Sequence, residues 1–144
     1  MTLLRYVIRE VIKGRMSLVV GISLLKNENM PVRNDPPTPI AAPLTSRVRS
    51  AVEVIFPVEL QEESLMRLQE DCGWHIPLLH TRDSVLLERI RLAAIKISDG
   101  DIEVLDQAIL QAHVDWRDLL VAAGFGYDAE AHLHWRPSPR QQET

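Results

Sequence analysis

The stretch RDSVLLERIRLAAIKISDG, Arg82 to Gly100, constrains the fold of this chain more than any other. Leu86, Ile90, Ala93, Ala94 and Ile97 return at three- and four-residue intervals, which places them on one stripe of a helix. Glu88 and Arg91 are spaced to pair on its polar side, and Gly100 stops it. A helix with an apolar stripe must cover it with other elements, and the neighbouring sequence supplies more helices. TSRVRSAVEVIF opens on Thr45 or Ser46 as N-cap, aligns Val48, Val52 and Ile55, and meets Pro57 as a stop. ELQEESLMRLQEDCG carries Leu65, Met66 and Leu68 on a short helix with Gly73 at its C-terminal end. WHIPLLHT, with Pro77, reads as a connector.

Past Gly100, Asp101 is placed to cap DIEVLDQAILQAH, which turns Ile102, Leu105, Ile109 and Ala112 inward. In DWRDLLVAAGFG, Asp115 caps a further helix and Asp118 suits the free amides of its first turn. Trp116 and Arg117 fall at its first two positions, Leu119–Ala123 is the buried stretch, and Gly124 ends it. A short helix near Asp128 then leads to a polar tail, with Trp135 folded back onto the core. The expectation is an all-α domain, a small bundle of about five short helices over residues 45–135. Only six glycines and few aromatics agree with helices over a β-sandwich.

The remainder of the chain reads differently. Residues 30–44 hold Pro31, Pro36, Pro37, Pro39 and Pro43, an extended linker, and residues 136–144 read as a disordered tail. Residues 1–29 combine an amphipathic helix pattern with the apolar run MSLVVGISLL. That run is too short to span a bilayer, which takes about 20 residues. Glu10 and the lack of a small-x-small cleavage site argue against a secretory signal. Three readings stay open for this segment. It is an upstream extension of the reading frame before Met30 or a tail unconnected to the core, a signal or membrane-surface segment within residues 1–25, or a contributor to the core.

Charge bears on partners. Residues 1–33 carry six Lys or Arg against two Glu, so a net of −4 for the whole chain leaves −8 on residues 34–144. An acidic helical domain argues against nucleic acid, whose phosphates are bound by Lys and Arg. The pair of helices 102–113 and 116–123 has a helix-turn-helix outline, but the second offers only Arg117 to a groove. The single cysteine excludes an internal disulfide framework and fits a reducing, cytoplasmic compartment.

From Arg91 to Phe125 the chain reads RLAAIKISDGDIEVLDQAILQAHVDWRDLLVAAGF. This resembles the pattern of a group of small, uncharacterised bacterial all-helical proteins. They share R-L-A-x-x-K-x-S-x-G-x, a leucine-rich helix, then an acidic residue, an aromatic, Arg-Asp and a closing apolar helix. The likeness reaches back to Val48 and departs after Phe125, at GYDAEAHLHWRPSPR. It implies a helical fold and no activity.

Cys72, His75 and His80, as C-x2-H-x4-H, are the nearest approach to a metal set, with His132 or His134 as a further ligand for zinc. The sequence contains no phosphate loop, nucleophile elbow or H-E-x-x-H motif. Asp99, Asp101, Glu103 and Asp106 read as a solvated helix start. The sequence thus points first to a non-catalytic protein without a cofactor, acting through protein contacts, a homodimer included. Trp74, Trp116 and Arg117 are its candidate anchors, because tryptophan and arginine are favoured at interface centres. The alternatives are a zinc sensor or enzyme built on Cys72, His75 and His80, and a helix-turn-helix-like nucleic-acid binder.

Overall fold

The computed structural model describes residues 42–79 and 82–139, so the readings for residues 1–41, for His80 and for 140–144 lie outside the described residues. Its elements are α1 (Ser46–Ile55), α2 (Val58–Glu70), α3 (Ser84–Ser98), α4 (Ile102–Ala122) and α5 (Ala131–His134). All are helices, packed as a small bundle, and no strand occurs among the described residues. None of these helices is long and apolar enough to cross a membrane.

Local chemistry sets the starts. Thr45 Oγ1 accepts from Val48 N at the head of α1, Asp83 Oδ1 from Val85 and Leu86 N, and Asp101 Oδ1 from Glu103 and Val104 N. Each satisfies first-turn amides that have no partner within the helix. Pro57 both ends α1 and stands at the N-cap position of α2, where its missing N–H costs nothing.

α3 is the hub. It packs against α1, α4 and α5, most extensively against α4, while α2 bridges α1 and α4. This position corrects the single stripe expected of it: Leu87, Ile90, Leu92, Ala93, Ala94 and Ile95 are all buried, while Leu86 and Ile97 are only partly so. A helix contacted on several sides needs apolar residues around most of its circumference. Nor does Arg91 pair with Glu88. It points inward and is only 1 % exposed. Its Nε donates to Cys72 O (2.8 Å), its Nη1 to Pro43 O (2.9 Å) and its Nη2 to Ala42 O (2.9 Å). Burial lowers its pKa. Arg91 thereby fastens two non-helical segments whose carbonyls have no ladder of their own. Ala42 and Leu44, placed in the linker by their prolines, are buried in the core as a result.

The other cations of α3 serve the end of α4 in the same way. Lys96 Nζ donates to Ala123 O at 2.7 Å and lies 4.8 Å from the Phe125 ring centroid. Arg89 donates to the carbonyls of Phe125 and Asp128. These are the last carbonyls of a helix end and its following turn, which need outside donors.

The α3–α4 turn bends through two left-handed residues, Asp99 (φ 47°) and Gly100 (φ 83°). A Cβ on Gly100 would lie 2.5 Å from Ile55 O, so glycine also lets the end of α1 approach. At Asp115 the backbone is extended (φ −158°, ψ 108°), and Asp115 Oδ1 accepts from Arg117 N. The expected second helix start is therefore present as a kink inside α4, and Gly124 (φ 77°) follows its end.

α2 departs from expectation on both counts. It closes at Asp71, with Gly73 outside the left-handed region. Met66 is exposed, while Ser64, Arg67 and Leu68 are the buried residues. Arg67 turns inward because Glu63 and Asp106 both bind its guanidinium, tying α2 to α4. Burial alone would lower its pKa, but the two carboxylates outweigh it and hold it above the usual arginine range. Asp106 is thus a structural partner and not part of a solvated acidic cluster.

Candidate functional site

Cys72 lies in the turn after α2 and is completely buried. Burial pushes its thiol up to about 12, against the opposing influence of Arg91. It is thus a neutral packing group, not a nucleophilic thiolate. Its carbonyl accepts from Arg91 Nε, and the Arg91 side chain also hydrogen-bonds the thiol. His75 is half-buried, with its ring 5.0 Å from that of His113, whose Nε2 is 2.7 Å from Asp71 O. Among the described residues no three His, Cys, Asp or Glu side chains are grouped to hold a metal. His132 and His134 do not join Cys72. His134 is exposed and His132 is buried beside Phe125, their ring centroids 6.4 Å apart.

The three tryptophans are all half-buried against the core. The indole nitrogen of Trp116 is shielded from solvent and has no partner among the described residues. Arg117 has a side chain 62 % exposed and closes a compact ring with Asp115, through Nε to Oδ1 at 2.9 Å and Nη2 to Oδ2 at 2.6 Å. Hydrogen bonds from the Arg117 side chain and backbone draw the Asp115 carboxyl below the usual range. Around this pair α4 exposes aliphatic side chains on both sides of its kink: Leu110, Val114 (69 % exposed) and Val121. The second arm offers no cation besides Arg117 to a phosphate backbone, and that one is already paired.

A second feature was not anticipated. Where α1 and α3 face the C-terminal segment, an open groove of about 460 Å³ runs beside Ser46, Arg47, Glu88, His132, Trp135 and Arg136. His132, expected in a polar tail, is 1 % exposed, and both ring nitrogens are closed off from solvent with no strong hydrogen-bond partner among the described residues. Burial lowers its pKa, assisted by Arg89 and Arg47 and opposed by Glu88 and, least, by the Ala129 backbone. Arg47 Nη1 and Arg136 Nη1 donate to one acceptor, Leu133 O, at 3.3 and 2.9 Å. Arg47 Nε is also 3.5 Å from Glu88 Oε1. Trp135 meets the edge of Phe125 with ring centroids 6.1 Å apart. The sequence signal was the three-residue step from His132 to Trp135, one helical turn that turns both toward the same neighbours.

No family model, no curated protein and no solved structure significantly matches the chain. Geometry and chemistry therefore carry the functional reading.

Proposed function

We propose that this chain is a small helical protein that acts without catalysis, by protein contact, with the outer side of α4 around Arg117 as its contact face. The carrying observation is the exposure of Leu110, Val114 and Val121 around the Asp115–Arg117 pair, beside the half-buried Trp116. Aliphatic side chains ringed by a few charges, next to a tryptophan and an arginine, have the composition of an interface centre. The kink supports it further. The extended residue Asp115 breaks the helix where Trp116 and Arg117 emerge, so their placement is fixed before any partner arrives. Trp74 belongs to the proposal as a secondary contact, since it too is half-buried. The partner is another protein or a second copy of this chain in a cytoplasmic setting. The likeness of Arg91–Phe125 to small bacterial helical proteins belongs to the same reading.

The test is native mass spectrometry of the tagged full chain purified gently from its own cells, beside a Val114→Asp/Arg117→Ala variant. Both positions are exposed, so the variant should keep its helical circular dichroism and its melting temperature. The expected result is a complex with wild type that the variant loses. A complex unaffected by the variant removes α4 as the face. A monomer carrying one stoichiometric zinc moves the function to Cys72 and its histidines.

A further inference from the structure

We propose that the groove between α1, α3 and the C-terminal segment is a binding site for a small monocarboxylate carried on a planar apolar body. It is a ligand site separate from the α4 face. Its charge points to an anion. Arg47 and Arg136 share the Leu133 carbonyl, so two guanidiniums stand side by side at the groove, and among the described residues Glu88 on Arg47 is the one acidic side chain lining it. Arg136 has no ion-pair partner among the described residues. Paired guanidinium donors are suited to a carboxylate, whose two oxygens accept parallel hydrogen bonds.

The head of α1 adds to this. Ser46 and Arg47 are its first two residues, and no acidic side chain occupies its first turn. The amide end of a helix favours negative charge, and the first turn of α1 supplies none of its own.

The second line of observation is His132. A neutral imidazole has one N–H donor and one acceptor nitrogen, and buried groups of this kind are almost always satisfied. His132 lines the groove at 1 % exposure, and its ring has no polar partner beyond a weak backbone hydrogen bond at Ala129 among the described residues. Because both ring nitrogens are closed to solvent, a carboxylate seated on Arg47 and Arg136 acts on His132 through its charge and not through a hydrogen bond.

Size and charge narrow the class. A volume of about 460 Å³ lies within the usual range for small-molecule sites. Trp135, Leu92 and Pro137 form apolar wall for a planar body. Two arginines against one glutamate leave a single surplus positive charge, which matches a monoanion, and Glu88 would repel the second charge of a phosphate.

The probes are benzoate, 3-phenylpropionate and indole-3-acetate, each beside its neutral amide, with inorganic phosphate as a further comparison. They are titrated into the full chain while the ring signals of His132 and Trp135 are followed by NMR. At least one acid should saturate with a Kd below about 1 mM. It should shift both rings and bind about tenfold more tightly than its amide, as the loss of one charge-assisted hydrogen bond requires. Arg136→Gln, an exposed position, should weaken the acid about tenfold with an unchanged melting temperature. Arg47→Gln gives a second reading from the other guanidinium. The proposal is overturned if no acid binds, if acid and amide bind alike, if phosphate binds more tightly, or if the shifts lie away from His132.

Discussion

Replacing Arg91 by methionine tests what holds the bundle to its loops. Arg91 is the largest of the fully buried side chains, and among the described residues it has no carboxylate partner. Its charge is met by the carbonyls of Cys72, Pro43 and Ala42. Methionine keeps a flexible stem of similar length but removes all three donors. Each carbonyl left unsatisfied costs about 1–3 kcal/mol, a gross loss of about 3–9 kcal/mol. Against this, the variant no longer buries a cation, which relieves a penalty of several kcal/mol. The expected net loss is about 2–4 kcal/mol, a large share of the ~5–15 kcal/mol typical of a whole domain. Arg91→Lys separates charge from geometry. A single ammonium retains the burial penalty yet cannot fork to three carbonyls, so lysine should be no better than methionine. Urea unfolding measures both, through a lower midpoint at constant slope. Hydrogen exchange should show faster opening around Ala42–Leu44 and Cys72. A methionine variant within about 0.5 kcal/mol of wild type, with unchanged exchange there, would refute the tether.

Three further outcomes follow from the same geometry. Gly100→Ala should cost about 2 kcal/mol or more in urea unfolding, because the residue needs φ 83° and its Cβ would meet Ile55 O. Asp101→Ala should cost about 1 kcal/mol by the same assay, through loss of the cap on Glu103 and Val104 N. For His132 the folded pKa is lowered from 6.5, so the unfolded chain takes up the proton first. Stability is then full above 6.5 and falls as pH drops through it. His132→Asn should flatten the urea midpoint between about pH 7.5 and pH 5.5, and an unchanged slope would refute the assignment to His132.

Helix number, type and caps were legible in the sequence because they depend on local chemistry. Thr45 and Asp101 act as N-caps, Asp115 starts a new arm, and Gly124 follows the C-cap of α4, as their neighbours alone dictate. What was not legible is which polar residues turn inward. Arg91 and Arg67 look like surface cations in one dimension, and Arg91 even has Glu88 at the right spacing. Their burial depends on acceptors distant in sequence: carbonyls 19 to 49 residues away for Arg91, and Asp106, 39 residues away, for Arg67. Periodicity registers hydrophobicity and is blind to such partners.

The same blindness hid the groove. His132 and Arg136 fall where the sequence turns polar, and composition assigns such a stretch to a tail, while Trp135 packs against the core as expected. Their placement follows from α3, which contacts α5 and presents Glu88 and Leu92 to the same cavity. Arg47 on α1 then reaches Leu133, a residue 86 positions away. A helix buried along most of its circumference must carry its polar side chains outward in the few gaps its neighbours leave. On α3 one of those gaps is filled by the carbonyls at the end of α4, through Arg89 and Lys96. Another is filled by the chain around Ala42, through Arg91. At the third, Glu88 meets Arg47 while Arg136 keeps its charge unmatched among the described residues. The unpaired charge of Arg136 beside this gap is what the proposed carboxylate would balance.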